Sequence, residues 1–123
     1  MLLDRFTSLF HSNVVIIVVM QAIAKRLGSE GATVIVASRR QKNIDSALSE
    51  LKAEGINALG LACHAGKTED NQKLVDFAVS KCGKIDILVP NAATNPFFGN
   101  IFDSTESQWD TMYSVNLKEV FLL

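Results

Sequence analysis

The chain has 123 residues, of which 48% are hydrophobic and 20% charged, and its formal net charge is −1. That is the composition of one globular domain long enough to bury a core. A nearly balanced charge leaves no electrostatic footprint for nucleic acid or an anionic membrane surface, so neither is expected as a partner.

Cys63 and Cys82 are unclustered thiols without CxxC spacing or a His-rich neighbourhood. They predict a reduced intracellular protein with no metal site. The apolar run Val14 to Met20 is far shorter than the ~20 residues needed to span a bilayer. As a secretory segment it is poor, because Asp4 precedes it and Gln21-Ala-Ile-Ala-Lys25-Arg26 follows without a polar boundary. A core strand is the favoured reading, with a secretory or anchoring segment behind it.

From this point the pattern alternates. Ala22, Ile23 and Leu27 share one face of a helical segment that Gly28 and Gly31 end, and Thr33 to Ala37 reads as a buried strand. Ile44, Ala47, Leu48 and Leu51 give helical spacing over residues 41–54, closed by Gly55. Asn57 to Ala62 is a third strand. Thr68 is placed to cap a helix whose first turn carries Glu69 and Asp70 and whose face is Leu74, Phe77 and Ala78. Gly83 ends that helix, and Ile85 to Val89 forms a short strand that stops at Pro90, which has no N–H to donate. Thr105-Glu-Ser-Gln108 reads as a capping box, and the last helix runs from it through Trp109, Met112, Tyr113 and Asn116 to the end. Strands separated by helices of this length imply βαβ units, hence an α/β domain with a parallel sheet.

In such sheets ligands bind outside the carboxyl ends of the strands. Asn91-Ala92-Ala93 follows the fourth strand there; Asn91 can donate and accept, and the two alanines let a ligand approach the backbone. Ser38-Arg39-Arg40 follows the second strand. An acidic residue at that site binds a ribose 2′-hydroxyl, whereas arginine accommodates a 2′-phosphate, and Arg39 offers the fork of donors that a phosphate takes bidentately. No Asp or Glu stands between Ala37 and Arg40, so the expected cofactor is NADP(H). The bland alternative, a solvated basic pair at a helix start, is weakened because basic residues there oppose the helix dipole. Asn116 lies inside the last helix, where asparagine is a poor choice on propensity. With Val115, Leu117 and Val120 crowding it, Asn116 is expected to make a specific hydrogen bond. Trp109 and Tyr113 are expected to pack.

Three segments carry a family resemblance: Ser38-Arg-Arg-Gln-Lys-Asn-Ile-Asp45, Cys63-His-Ala-Gly-Lys-Thr-Glu-Asp70 and Asn91-Ala-Ala-Thr-Asn-Pro-Phe-Phe-Gly99. Together they resemble the short-chain dehydrogenases/reductases, most of all a peroxisomal, NADPH-dependent carbonyl- and retinal-reducing branch, over roughly Ala22 to Phe121. The resemblance implies the N-terminal half of a Rossmann-type three-layer fold, incomplete, and a carbonyl compound as substrate. It places Ser38, Arg39, Arg40, His64, Asn91, Ala92 and Ala93 at the cofactor. His64 stands where the family often has an Asp touching adenine; it either contacts the base or is a plain loop histidine. Asn116 matches an asparagine that supports the family's proton relay.

Two departures accompany the likeness. The family carries a Gly-rich loop between its first strand and first helix, so that backbone can approach the pyrophosphate. Here Val14 to Met20 runs directly into Gln21, and no glycine precedes Gly28. The β-branched run favours a strand and the missing turn favours one continuous helix from the region of Val18; the helix is preferred, and residues 1–20 read as a divergent segment of a single partial dinucleotide-binding domain. Second, the family's catalytic Ser and its Tyr-x-x-x-Lys are expected downstream of the helix in which this sequence stops. Tyr113 and Lys118 are five apart, whereas helical neighbours are three or four apart. The expectation is therefore a truncated product of an NADP(H)-dependent carbonyl reductase, inactive by itself. Its alternatives are an interaction fragment that pairs with full-length subunits through residues 105–123, as a homo- or hetero-oligomer, and an unstable product. Cytosolic retention is the default, because a peroxisomal address of the parent family would sit at a carboxyl terminus not found here.

Overall fold

A computed structural model describes residues 14–18 and 21–122. Four strands form one parallel sheet: β1 (Val14–Val18), β2 (Thr33–Ser38), β3 (Ala58–Ala62) and β4 (Ile87–Val89), in the order β3-β2-β1-β4. The register is continuous from Ser38 opposite Ala62 to Val36 opposite Ile17, and from Ile17 to Val89. Helices α1 (Gln21–Ser29), α2 (Gln41–Ala53) and α3 (Thr68–Cys82) make the crossovers. The strand order reverses between β1 and β4. That switch point is where doubly wound sheets open a ligand crevice.

Both faces of the sheet are covered, which explains the unbroken apolar strands. Along β2, Val34 and Val36 face a cluster with Ala24 of α1 and Ala47 and Leu51 of α2, while Ile35 and Ala37 face Leu74 and Ala78 of α3. Ile35, Ile44, Leu51 and Leu74 are fully buried, each stabilising the fold by ~1.5–3 kcal/mol. The three-layer α/β architecture expected from the sequence is the one observed.

Several local expectations are corrected. Val18 belongs to β1, so a continuous helix beginning there is excluded; parallel pairing on both sides of the strand satisfies its backbone. The turn expected next falls on residues 19–20, outside the described residues. Gly28 does not end α1 but lies inside it, buried where an added Cβ would stand 2.3 Å from Ile56 Cγ2. Gly31, at φ 96°, makes the turn. Thr68 is the first helical residue of α3, not its cap. Lys67 holds the cap position without a side-chain bond, and the incoming loop is tied instead by Asp70 and Asn71 from within the first turns. The fourth strand starts at Ile87, not Ile85.

After β4 a loop leads through a 3-10 turn (Ile101–Asp103) to α4 (Glu106–Tyr113), where the Thr105/Gln108 capping box forms as expected. The last helix is then interrupted. Ser114–Lys118 is a π segment, followed by a short α5 (Glu119–Leu122). Trp109 and Tyr113 do not pack into the core; they are 47% and 62% exposed, and Leu117, Val120 and Phe121 are exposed with them. Among the described residues no helix is long and apolar enough to cross a membrane.

Candidate functional site

The carboxyl ends of β2, β3 and β4 open onto a cleft of about 470 Å³. Its walls are Ser38, Arg39, Arg40 and Asn43 after β2, Cys63 to Gly66 after β3, Asn91 to Thr94 after β4, and Thr111 and Val115 from the last helical stretch. Seven residues expected at a cofactor, Ser38, Arg39, Arg40, His64, Asn91, Ala92 and Ala93, thus lie around one cavity. Asn116 does not line it but grips a residue that does.

Each wall has a physical cause. Ser38 is the last residue of β2 and is buried, and its Oγ accepts from the N–H of Arg40 at 3.4 Å, fixing the turn into α2. Arg39 and Arg40 are exposed, and neither forms an ion pair among the described residues. Helix α2 also starts without a side-chain cap, and the N–H groups of Asn43 and Ile44 donate to the Arg40 carbonyl at 3.0 and 3.4 Å. The lining contains no carboxylate.

The β3 wall is tied down from below. Asp70 Oδ2 accepts from the N–H of His64 at 3.1 Å and Oδ1 from Lys73 Nζ at 3.2 Å. The His64 N–H first, then Lys73, hold the Asp70 carboxyl below its ordinary value. His64 Nδ1 accepts from the N–H of Gly66 at 3.0 Å. The neutral imidazole consequently carries its proton on Nε2, a donor for a ligand. His64 is half-buried in the loop after β3 and lines the cavity. Cys63 is buried; burial pushes its thiol pKa up and the Asp70 carboxylate adds to that, so it stays a protonated, unreactive thiol at neutral pH.

Sequence reasoning overlooked a buried pair beneath this wall. Asn71 Nδ2 donates to the carbonyl of Ala65 at 3.2 Å and to Glu119 Oε2 at 3.1 Å, and both side chains are buried. The pair joins α3 to α5. A polar residue one turn into an amphipathic helix, on the side of Leu74 and Ala78, is the only trace it leaves in the sequence.

The β4 wall is held by the expected bond of Asn116. Its Oδ1 accepts from the N–H of Thr94 at 2.8 Å and its Nδ2 donates to the Thr94 carbonyl at 3.0 Å. Crowding is not the reason, since Leu117 is 58% exposed. The π segment is: its extra residue per turn re-aims the carboxamide at the loop. Asn43, Ala65, Gly66, Thr94, Thr111 and Val115 also line the cleft and were not singled out, because they converge only through tertiary packing.

A family model described as short chain dehydrogenase matches residues 19–123. The chain is 51% identical over 102 residues to "Dehydrogenase/reductase SDR family member 4" of Sus scrofa, covering 83% of this chain and 37% of that protein. The Homo sapiens protein of the same name gives the same identity and coverage. The chain therefore spans a little over a third of the length of these relatives. Among solved structures, a metagenomic short-chain oxidoreductase in complex with NADP superposes with a TM-score of 0.84 at 28% identity, over 93% of this chain and 54% of that one.

Proposed function

The chain belongs to the short-chain dehydrogenase family, and on that premise we propose that it carries part of the cofactor site of an NADP(H)-dependent oxidoreductase that reduces ketones or aldehydes, of carbonyl or retinal reductase type. The observation that carries this reading is the position of Arg39: a cation with no ion-pair partner among the described residues, at the end of β2, in a cleft without carboxylates. A ribose 2′-hydroxyl calls for an acid at this place, whereas a 2′-phosphate calls for arginine. The NADP-bound short-chain oxidoreductase supports the cofactor, and the relatives described as dehydrogenase/reductase support an oxidoreduction.

NADP(H), when bound, supplies the hydride. In this reading Arg39 and Arg40 hold the 2′-phosphate, with Ser38 fixing the turn that presents them. His64 donates from Nε2 to the base. Ala92 and Ala93 leave room for the ligand against the backbone, and Asn116 keeps that loop in place through Thr94.

The acid–base pair that the family resemblance implies is a Tyr with a Lys four residues on. Tyr113 is the single tyrosine, residue 117 is a leucine, and Tyr113 is exposed and is not among the residues lining the cleft. These 123 residues alone are therefore proposed not to turn over. The test is NADPH consumption by the purified chain with a panel of ketones and aldehydes: none is expected, and turnover that survives removal of contaminating reductases refutes the proposal.

One observation favours a second, non-catalytic role. Trp109, Tyr113, Leu117 and Phe121 leave an apolar strip exposed along residues 105–123, which suits pairing with a full-length reductase subunit. Co-expression with a full-length relative and light scattering of the purified material checks it; failure to co-purify argues against it.

A further inference from the structure

The two halves of a dinucleotide meet very different surroundings here. At one end the fit is good. The lining residues carry two arginines and no carboxylate, in a chain whose overall charge is −1, so the cavity favours a compact anion. Beside them the His64 imidazole is packed against Gly66, where a Cβ would stand 2.9 Å from Cε1 and 3.1 Å from Nδ1, so glycine is what lets the ring sit in the cleft wall. With the Nε2 donor of His64 and the small side chains of Ala65, Ala92 and Ala93 along it, that wall suits a planar base.

At the other end the fit fails. A pyrophosphate on the first helix needs glycines so that backbone N–H groups can reach it. Between Val18 of β1 and Gln21 of α1 stand only Val19 and Met20. Residues 1–27 include no glycine. Among the described residues none of α1 lines the cleft. The start of α1 is turned to its neighbour instead: Gln21 Nε2 donates to Glu50 Oε1 at 3.2 Å, and Lys25 pairs with Glu54.

We propose that the cleft is a nucleoside 2′-phosphate site, in which a purine ribonucleotide phosphorylated at the 2′ position binds as well as the whole dinucleotide. The inference rests on the NADP(H) reading above and narrows it: the diphosphate and nicotinamide halves add nothing to affinity. Arg39 and Arg40 take the 2′-phosphate, the wall formed by His64 takes the base, and the remainder of a dinucleotide projects into solvent.

Isothermal titration of the 123-residue chain with adenosine 2′,5′-bisphosphate, NADP⁺ and NAD⁺ tests it. The bisphosphate and NADP⁺ are expected to bind within about threefold of each other, and NAD⁺ at least tenfold more weakly, a difference of about 1.4 kcal/mol. Arg39→Ala is expected to weaken the bisphosphate and NADP⁺ equally, with an unchanged circular dichroism spectrum. If NADP⁺ binds more than tenfold tighter than the bisphosphate, the half-site inference falls while the NADP(H) reading stands. If NAD⁺ matches NADP⁺, or no ligand binds, both fall.

Discussion

Asn116 and Thr94, in different elements, are joined by two hydrogen bonds that use both ends of one carboxamide: Thr94 N–H to Oδ1 at 2.8 Å and Nδ2 to the Thr94 carbonyl at 3.0 Å. The side chain thus stands in for the neighbouring strand that the loop after β4 does not have. Asn116→Ala leaves a backbone donor and acceptor half-buried and unpaired, and is expected to cost ~1–3 kcal/mol. Asn116→Asp keeps the acceptor but sets a carboxylate against the Thr94 carbonyl, and should be no better at neutral pH. Thr94→Val, which keeps both backbone bonds, should stay near the unaltered chain. Urea titration of the three variants checks the order.

A second prediction concerns Gly60 of β3, which allows α2 to lie close on the sheet. A Cβ added there would stand 2.3 Å from Ile44 Cγ2 and 3.2 Å from Leu48 Cδ1. Ile44 is fully buried and has nowhere to move. Gly60→Ala should destabilise by ~1–3 kcal/mol through overpacking. Combined with Ile44→Val it should cost less than the sum of the two changes; strict additivity in denaturant unfolding would place the clash elsewhere.

The third involves Asn71 and Glu119, whose bond at 3.1 Å links α3 to α5. Asn71→Leu takes a donor from a buried carboxylate, which costs ~1–3 kcal/mol or more for a charged group. Replacing both residues by leucine removes the orphan and should recover much of the loss. A double variant as unstable as Asn71→Leu would show that Glu119 is not the affected partner.

Asp70 provides a pH prediction. Its folded-state pKa lies below the ordinary 3.8, so the stability it contributes is complete above that value and is lost as pH falls through the lower folded value. Asp70→Asn should lower stability at neutral pH and flatten the acid limb of the stability curve below about pH 4. Chemical denaturation at a series of pH values measures this. An unchanged acid limb would mean that the bond from the His64 N–H is absent in solution.

What the sequence made legible follows from the range of the forces involved. Continuous apolar strands, the spacing of Ile44, Ala47 and Leu51, and the Thr105/Gln108 box are local patterns, and they forecast the sheet, α2 and the start of α4. Arg39, His64 and Asn91 could be placed at strand ends because parallel sheets deliver strand ends to one rim. The role of Gly28 was misread because an interior glycine and a terminating one look alike until Ile56 is seen against it. The π segment at Ser114–Lys118 and the Asn71–Glu119 pair depend on contacts between residues far apart in the chain, 48 positions in the second case. Pattern reading has no access to such contacts.

The proposed reading of a 2′-phosphate by Arg39 separates NADPH from NADH. Its most direct test is thermal unfolding of the 123-residue chain with excess NADPH or with NADH at the same concentration. The expected result is a cooperative transition raised by NADPH, with a stabilisation of ~2.7 kcal/mol at a hundredfold excess over the dissociation constant, and a clearly smaller rise with NADH. Equal shifts, a larger shift with NADH, or no shift with either would contradict it.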